Sequence, residues 1–189
     1  ACRAAKEGSR EALGDYLERF AEGKCPPWAV LAITFTNKAA REIKERLAAA
    51  LDDPTAADAV WAGTFHSVCM RILRSHIGLL GYKPGFSIYD TDDQKKAIAR
   101  CMKDLNLDDK KFPPKSMLNM IGRAKDRLMT PKEMQEENTA DYLWSVAAKV
   151  YARYQEELAQ ANALDFDDII MLTVRLFEEN PDILEYYQH

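Results

Sequence analysis

The sequence predicts a predominantly helical α/β fold, with a partial parallel sheet of two visible strands and a long all-helical segment after it. Three observations carry that prediction. Two short β-type runs, residues 30–35 and 60–65, are each followed at once by an amphipathic helical pattern. Strands that alternate with helices form parallel sheets through crossover connections. From residue 90 onward the apolar residues recur only at helical spacing. Gly and Pro number eight each among 189 residues, too few for an all-β chain that turns roughly every ten residues.

Composition sets the outer limits. Apolar residues are 47% and charged residues 30% of the chain, which excludes a disordered polymer. The longest unbroken apolar run, residues 28–33, is too short to cross a bilayer. A chain of this length holds one domain or two small ones. No apolar signal region opens it, so secretion is not expected. It begins at Ala1 and stops at His189 in a helical pattern, as expected of a piece of a longer polypeptide. Cysteines at 2, 25, 69 and 101 show no zinc spacing, and reduced thiols in a cytoplasmic protein are expected. The net charge of −4 is unevenly spread: residues 1–127 carry 22 Lys/Arg against 17 Asp/Glu, and residues 128–189 carry 4 against 13. The basic front permits local phosphate contacts that the acidic back does not.

Taken in order, residues 1–24 read as an amphipathic helix with Leu13, Tyr16, Leu17 and Phe20 on one stripe, ended by Cys25-Pro26-Pro27. The strand at 30–35 leads into a helix at 37–51, where Ala39, Ala40, Ile43, Leu47 and Leu51 share a face opposite Lys and Arg. A polar connection, 52–58, precedes the strand at 60–65. The next helix places Val68, Cys69, Ile72, Leu73, Ile77 and Leu80 inward and stops at Gly81. The string TDDQ at 91–94 is a capping box for a helix through Ala97, Ile98, Cys101, Met102 and Leu105. Pro113-Pro114 opens another, with Met117, Met120, Ile121, Ala124 and Leu128 on its stripe. TPKE at 130–133 is a second capping box, with Pro at the first helical position. A long helix at 140–161 turns Leu143, Ala147, Val150, Tyr151, Tyr154 and Leu158 inward, and Asp165 opens the last helix before Pro181. No internal repeat is present.

Chemistry concentrates where strands turn into helices. In TFTNK at 34–38, hydroxyls, an amide and the N–H groups of a helix start converge, which suits a phosphate, and Phe35 can stack on a base. The plainer alternative is that Thr36 or Asn37 caps the helix and Phe35 belongs to the core. GTFHS at 63–67 repeats the arrangement with Thr64, Phe65 and His66, and Arg71 and Arg74 follow on the helix. Parallel strands bring both tips to one sheet edge, where paired turns suit an extended polyanion better than a small molecule. DFDD at 165–168 admits a metal reading through Asp165, Asp167 and Asp168, but carboxylates in a first helical turn are better explained as caps. Lys110, Lys111, Lys115, Arg123, Lys125 and Arg127 form the densest basic stretch, expected to be a solvated face, with contact to duplex phosphates as the alternative.

Four ordered segments resemble one family. LAITFTNKAAREIKERL at 31–47 resembles motif Ia of the UvrD/Rep/PcrA family of superfamily 1A DNA helicases, and TFHSVCMRILR at 64–74 is similar to its next DNA-contacting motif. FSIYDTDDQ at 86–94 and YQEELAQANALDFDDIIMLTVRLF at 154–177 are similar to later landmarks. The resemblance runs over 26–189 and leaves 1–25 unplaced. It implies a partial RecA-like domain 1A (25–89 and 164–189) interrupted by a helical domain 1B (90–163). It further implies an ATP-dependent 3′–5′ helicase or translocase of DNA repair or replication, using ATP and Mg²⁺ in the cytoplasm. Its partners would be single-stranded DNA, single-strand/duplex junctions and domains 2A and 2B of the parent chain, with no membrane. By position, Phe35 would stack on a base. Thr36, Asn37, Thr64 and His66 would touch phosphate or sugar, with Phe65 and Arg71 in the second motif.

The family's phosphate loop, GxxxxGK[ST], is not found: the only Gly-Lys pair, Gly23-Lys24, is followed by Cys25. No Asp-Glu pair of the Walker B kind occurs either. No catalytic, cofactor-binding or metal-binding residue is therefore expected within the chain, and it is expected not to hydrolyse ATP alone. The alternatives are a recombination nuclease–helicase subunit, a helical interaction module without a nucleic-acid role, and a carboxylate metal enzyme.

Overall fold

The computed structural model describes residues 26–51, 54–137 and 141–188, in two compact units, one ending at Thr64 and one beginning at Phe65. The helix expected over 1–24 lies outside the described residues.

In the first unit a short 3₁₀ turn, Pro27–Ala29, leads into β1 (Leu31–Thr34), α1 (Asn37–Leu51), α2 (Pro54–Ala59) and β2 (Trp61–Thr64). The strands pair in parallel, with Leu31 opposite Trp61 and Thr34 opposite Thr64, and α1 packs on α2 and on both strands. The expected strands are present but shorter at their ends, because Phe35 belongs to the turn and Phe65 to the next helix. The connection at 52–58 is not simply polar. Pro54 starts α2, and Ala57 of that helix is buried, as is Val60 after it.

The second unit starts with α3 (Phe65–His76), which a 3₁₀ turn, Ile77–Leu80, extends to Gly81, in the left-handed conformation with φ of 85°. A side chain is strained there, which is why the stop is a glycine. Arg74 steadies the return: its guanidinium donates to the Pro84 carbonyl at 2.6 Å and lies 3.8 Å from the Phe86 ring centroid. Then follow β3 (Ser87–Ile88), α4 (Thr91–Asp104), α5 (Pro114–Asp126), α6 (Pro131–Glu137), α7 (Tyr142–Gln160), β4 (Ala163–Leu164), α8 (Phe166–Glu179) and α9 (Pro181–Gln188). β3 and β4 pair in parallel, so α4 to α7 form an insertion between two neighbouring strands. These two-residue strands were not visible as period-2 runs, being too short to show alternation.

The core of the inserted helices gathers Ile98, Cys101 and Met102 of α4, Met117 and Ile121 of α5, Met134 of α6, and Val150, Tyr151, Tyr154 and Leu158 of α7. α8 packs against α3 and α5. The helix starts largely follow the expected chemistry. Thr130 and Glu133 exchange bonds as a capping box, Glu133 N–H to Thr130 Oγ1 at 3.2 Å and Thr130 N–H to Glu133 Oε2 at 2.7 Å. The box expected at 91–94 sits one residue earlier. Asp90 accepts from the N–H groups of Asp92 and Asp93, at 2.8 and 2.9 Å, because a carboxylate outcompetes the Thr91 hydroxyl as the cap. The long helix begins at Tyr142, capped by Asp141. No described helix is long and apolar enough to cross a membrane.

Candidate nucleic-acid interface

In the first unit, β1 ends at Thr34 and α1 begins at Asn37, so Phe35 and Thr36 are the whole connection. Hydrogen bonds hold it from both sides. Thr34 Oγ1 donates to the Thr36 carbonyl at 2.9 Å, and Thr36 Oγ1 accepts from the Ala39 N–H at 3.2 Å. Thr36 is therefore the cap, and Asn37 is the first helical residue, exposed beside it. Phe35 is not core: it lies in the two-residue turn between β1 and α1 and is 90% exposed. Burying a phenylalanine is worth about 1.5–3 kcal/mol, and this turn forgoes nearly all of it. Thr64 lies opposite Thr34 across the ladder, so the C-terminal ends of both strands carry a threonine.

The second unit presents its own face at the start of α3. Phe65 is 44% exposed, Arg71 is exposed, and the half-buried His66 ring stands edge-on to Phe166, with centroids 5.9 Å apart. Phe166, at the first position of α8, is 47% exposed. It was missed in the sequence because it lies three residues before the buried Ile169, the spacing of an inward stripe. Arg74, also exposed, reaches the Pro84 carbonyl and the Phe86 ring.

The turn that carries Phe166 is held from beneath by a buried ion cluster. Lys125 Nζ lies 2.7 Å from Asp165 Oδ2 and 2.7 Å from Asp168 Oδ1, and the three side chains are 0%, 2% and 3% exposed. Tyr154 donates its hydroxyl to Asp165 Oδ2 at 3.1 Å, and Gln155 donates Nε2 to Asp168 Oδ1 at 2.9 Å. The expectation for the basic stretch thus fails at one residue. Lys110, Lys111, Lys115, Arg123 and Arg127 are exposed, but Lys125 is buried. Its position follows from the helical period, four residues after Ile121 and eight after Met117 on the inward stripe. The carboxylates of Asp165 and Asp168 are what make an ammonium tolerable there.

Burial alone would pull the Lys125 ammonium down, but Asp168 and Asp165 outweigh it and hold the group above its ordinary range. Burial, reinforced by the same carboxylates, also pushes the Tyr154 and Tyr151 hydroxyls up. All three groups therefore bind their protons more tightly folded than unfolded. The contribution of Lys125 is complete below the unfolded lysine value near about 10.4 and is lost as pH rises through its raised folded value. The tyrosines work in the same direction above about 10. Stability followed by circular dichroism during urea unfolding should fall progressively as pH rises beyond about 10. Urea unfolding that gives the same stability at about pH 8 and about pH 11.5 would contradict these assignments.

The first unit pairs two parallel strands, and the second carries a helical insertion between two neighbouring parallel strands, which together make the chain a predominantly helical α/β module. The chain belongs to the UvrD/REP helicase N-terminal domain family, whose model matches residues 13–189. The match begins ahead of residue 26, so residues 13–25, unplaced by their motifs, lie within the family's span. The chain is 48% identical over 168 residues to the ATP-dependent DNA helicase PcrA of Bacillus subtilis, covering 89% of this chain and 22% of that protein. It is 48% identical over 163 residues to PcrA of Staphylococcus aureus, covering 86% and 22%. It is 44% identical over 163 residues to PcrA of Leuconostoc citreum, covering 86% and 21%. The chain therefore spans about a fifth of the length of these relatives.

Proposed function

We propose that the chain is the strand-gripping part of an ATP-dependent 3′–5′ DNA helicase or translocase of DNA repair or replication, working in the cytoplasm. The observation that carries this reading is Phe35, a phenyl ring 90% exposed on a hydrogen-bonded turn at a helix N-terminus. Kinship with PcrA supports it. Each unit contributes its own face. Phe35 stacks on a base, while Thr36, Asn37 and Thr64 meet phosphate and sugar. On the second unit Phe65, His66 and Arg71 do the same, with Phe166 beside them. Residues 25–89 and 164–189 make up the RecA-like domain 1A and 90–163 domain 1B, a division supported by the pairing of β3 with β4 around the inserted helices. Domains 2A and 2B of the parent and single-strand/duplex junctions are the further partners.

ATP and Mg²⁺ serve the parent enzyme, and their binding is assigned to parts of the parent other than the described residues. None of the four described strands opens into a glycine-rich loop, and the candidate carboxylates Asp165 and Asp168 are already committed to Lys125. Binding of single strands is expected to be weak, indifferent to sequence and steeply reduced by salt, since backbone charge supplies most of it. Photo-cross-linking to a bromodeoxyuridine oligonucleotide, followed by peptide mapping, tests the assignment. Adducts are expected on the peptides holding Phe35 and His66. Adducts confined to the exposed lysines at 110, 111 and 115 would refute it.

A further inference from the structure

We propose that Lys125, Asp165 and Asp168, assisted by Tyr154, are positioning residues for the nucleic-acid face of the second unit, fixing the first turn of α8 so that Phe166 meets His66. The inference rests on the strand-binding reading above.

The division of labour within each carboxylate carries it. Asp165 Oδ1 accepts from the Asp168 N–H at 2.9 Å, and Asp168 Oδ2 accepts from the Asp165 N–H at 3.1 Å. Those two bonds complete a capping box, so the helix start is satisfied by itself. The second oxygen of each carboxylate is used differently. Asp165 Oδ2 meets Lys125 and Tyr154, and Asp168 Oδ1 meets Lys125 and Gln155. The extra bonds thus tie the first turn of α8 to α5 and α7 of the inserted helices.

Stability alone does not explain this cluster. Burying an ion pair costs desolvation that its attraction only partly returns, and apolar replacements of equal volume often serve as well. What a charged cluster of fixed geometry does supply is register. Phe166 sits between the two clamped aspartates, so its backbone is held at a first helical turn, where helices ordinarily fray. Phe166 in turn presents its ring to His66 at the start of α3.

The test uses the full chain and reads the histidine ring protons by NMR alongside binding of a labelled single strand. Tyr154→Phe removes one bond from Asp165 and keeps the packed ring, so it serves if Lys125→Met fails to fold. In either variant the His66 resonance should move while that of His76, which pairs with Tyr187, stays in place. Affinity should fall by roughly 2- to 100-fold, the range expected for coupled side chains. Adding His66→Ala should deepen the loss little, because both changes disturb one element. An unmoved His66 resonance, or losses that simply multiply, would overturn the positioning role. A wild-type chain that ignores single strands would sink the functional reading instead, and the resonance would still decide the positioning.

Discussion

Replacing Lys125 by Met is expected to cost about 3–5 kcal/mol of stability, far beyond the roughly 0.5 kcal/mol usual for a surface lysine. The side chain is wholly buried, and its ammonium is the cation 2.7 Å from both Asp165 and Asp168. Methionine fills the volume and removes the charge, leaving two carboxylates together out of water. Tyr154 and Gln155 still donate to them, but neutral donors cannot neutralise a pair. The loss should depend on pH in a definite direction. Without Lys125 the aspartates resist ionisation, so their folded values rise above the unfolded value near about 3.9. A group with a raised folded value destabilises as pH rises through that window, so the deficit is smallest below about pH 4 and full at neutrality. Urea unfolding at both pH values measures it. A deficit under about 1 kcal/mol at neutral pH would mean that the cluster contributes little.

What was legible in the sequence followed from local chemistry. The alternation of short β-type runs with amphipathic helices announced parallel strands, and β1 and β2 pair that way. The TFTNK and TFHS strings announced two helix starts, and the structure puts Thr36 at one cap and Phe65 at the head of α3. What was not legible depended on partners distant in the chain. Lys125 reads as one more charge in a basic stretch until Asp165, forty residues on, is brought against it. β3 and β4 are two residues each and exist only because they find one another. Phe166 follows the spacing of a buried stripe, and only the packing of α8 on α3 decides that it stands at the surface beside His66.

Phe35→Ala carries the central claim, that a strand of DNA is gripped at the turn after β1. Stacking of a base on an aromatic ring is worth about 1–3 kcal/mol, equivalent to roughly 5- to 150-fold in Kd. Because the ring is 90% exposed, its removal should alter folding by less than about 0.5 kcal/mol, and any loss of affinity is a loss of contact. The hydrogen bonds of Thr34 and Thr36 do not involve the phenyl group, so the turn keeps its shape. Fluorescence anisotropy of a labelled single-stranded oligonucleotide at low salt, with wild type and Phe35→Ala side by side, is the decisive measurement. The account predicts binding by the wild type, weakened at least about fivefold in the variant at unchanged melting temperature. Equal affinities for the two proteins would contradict it.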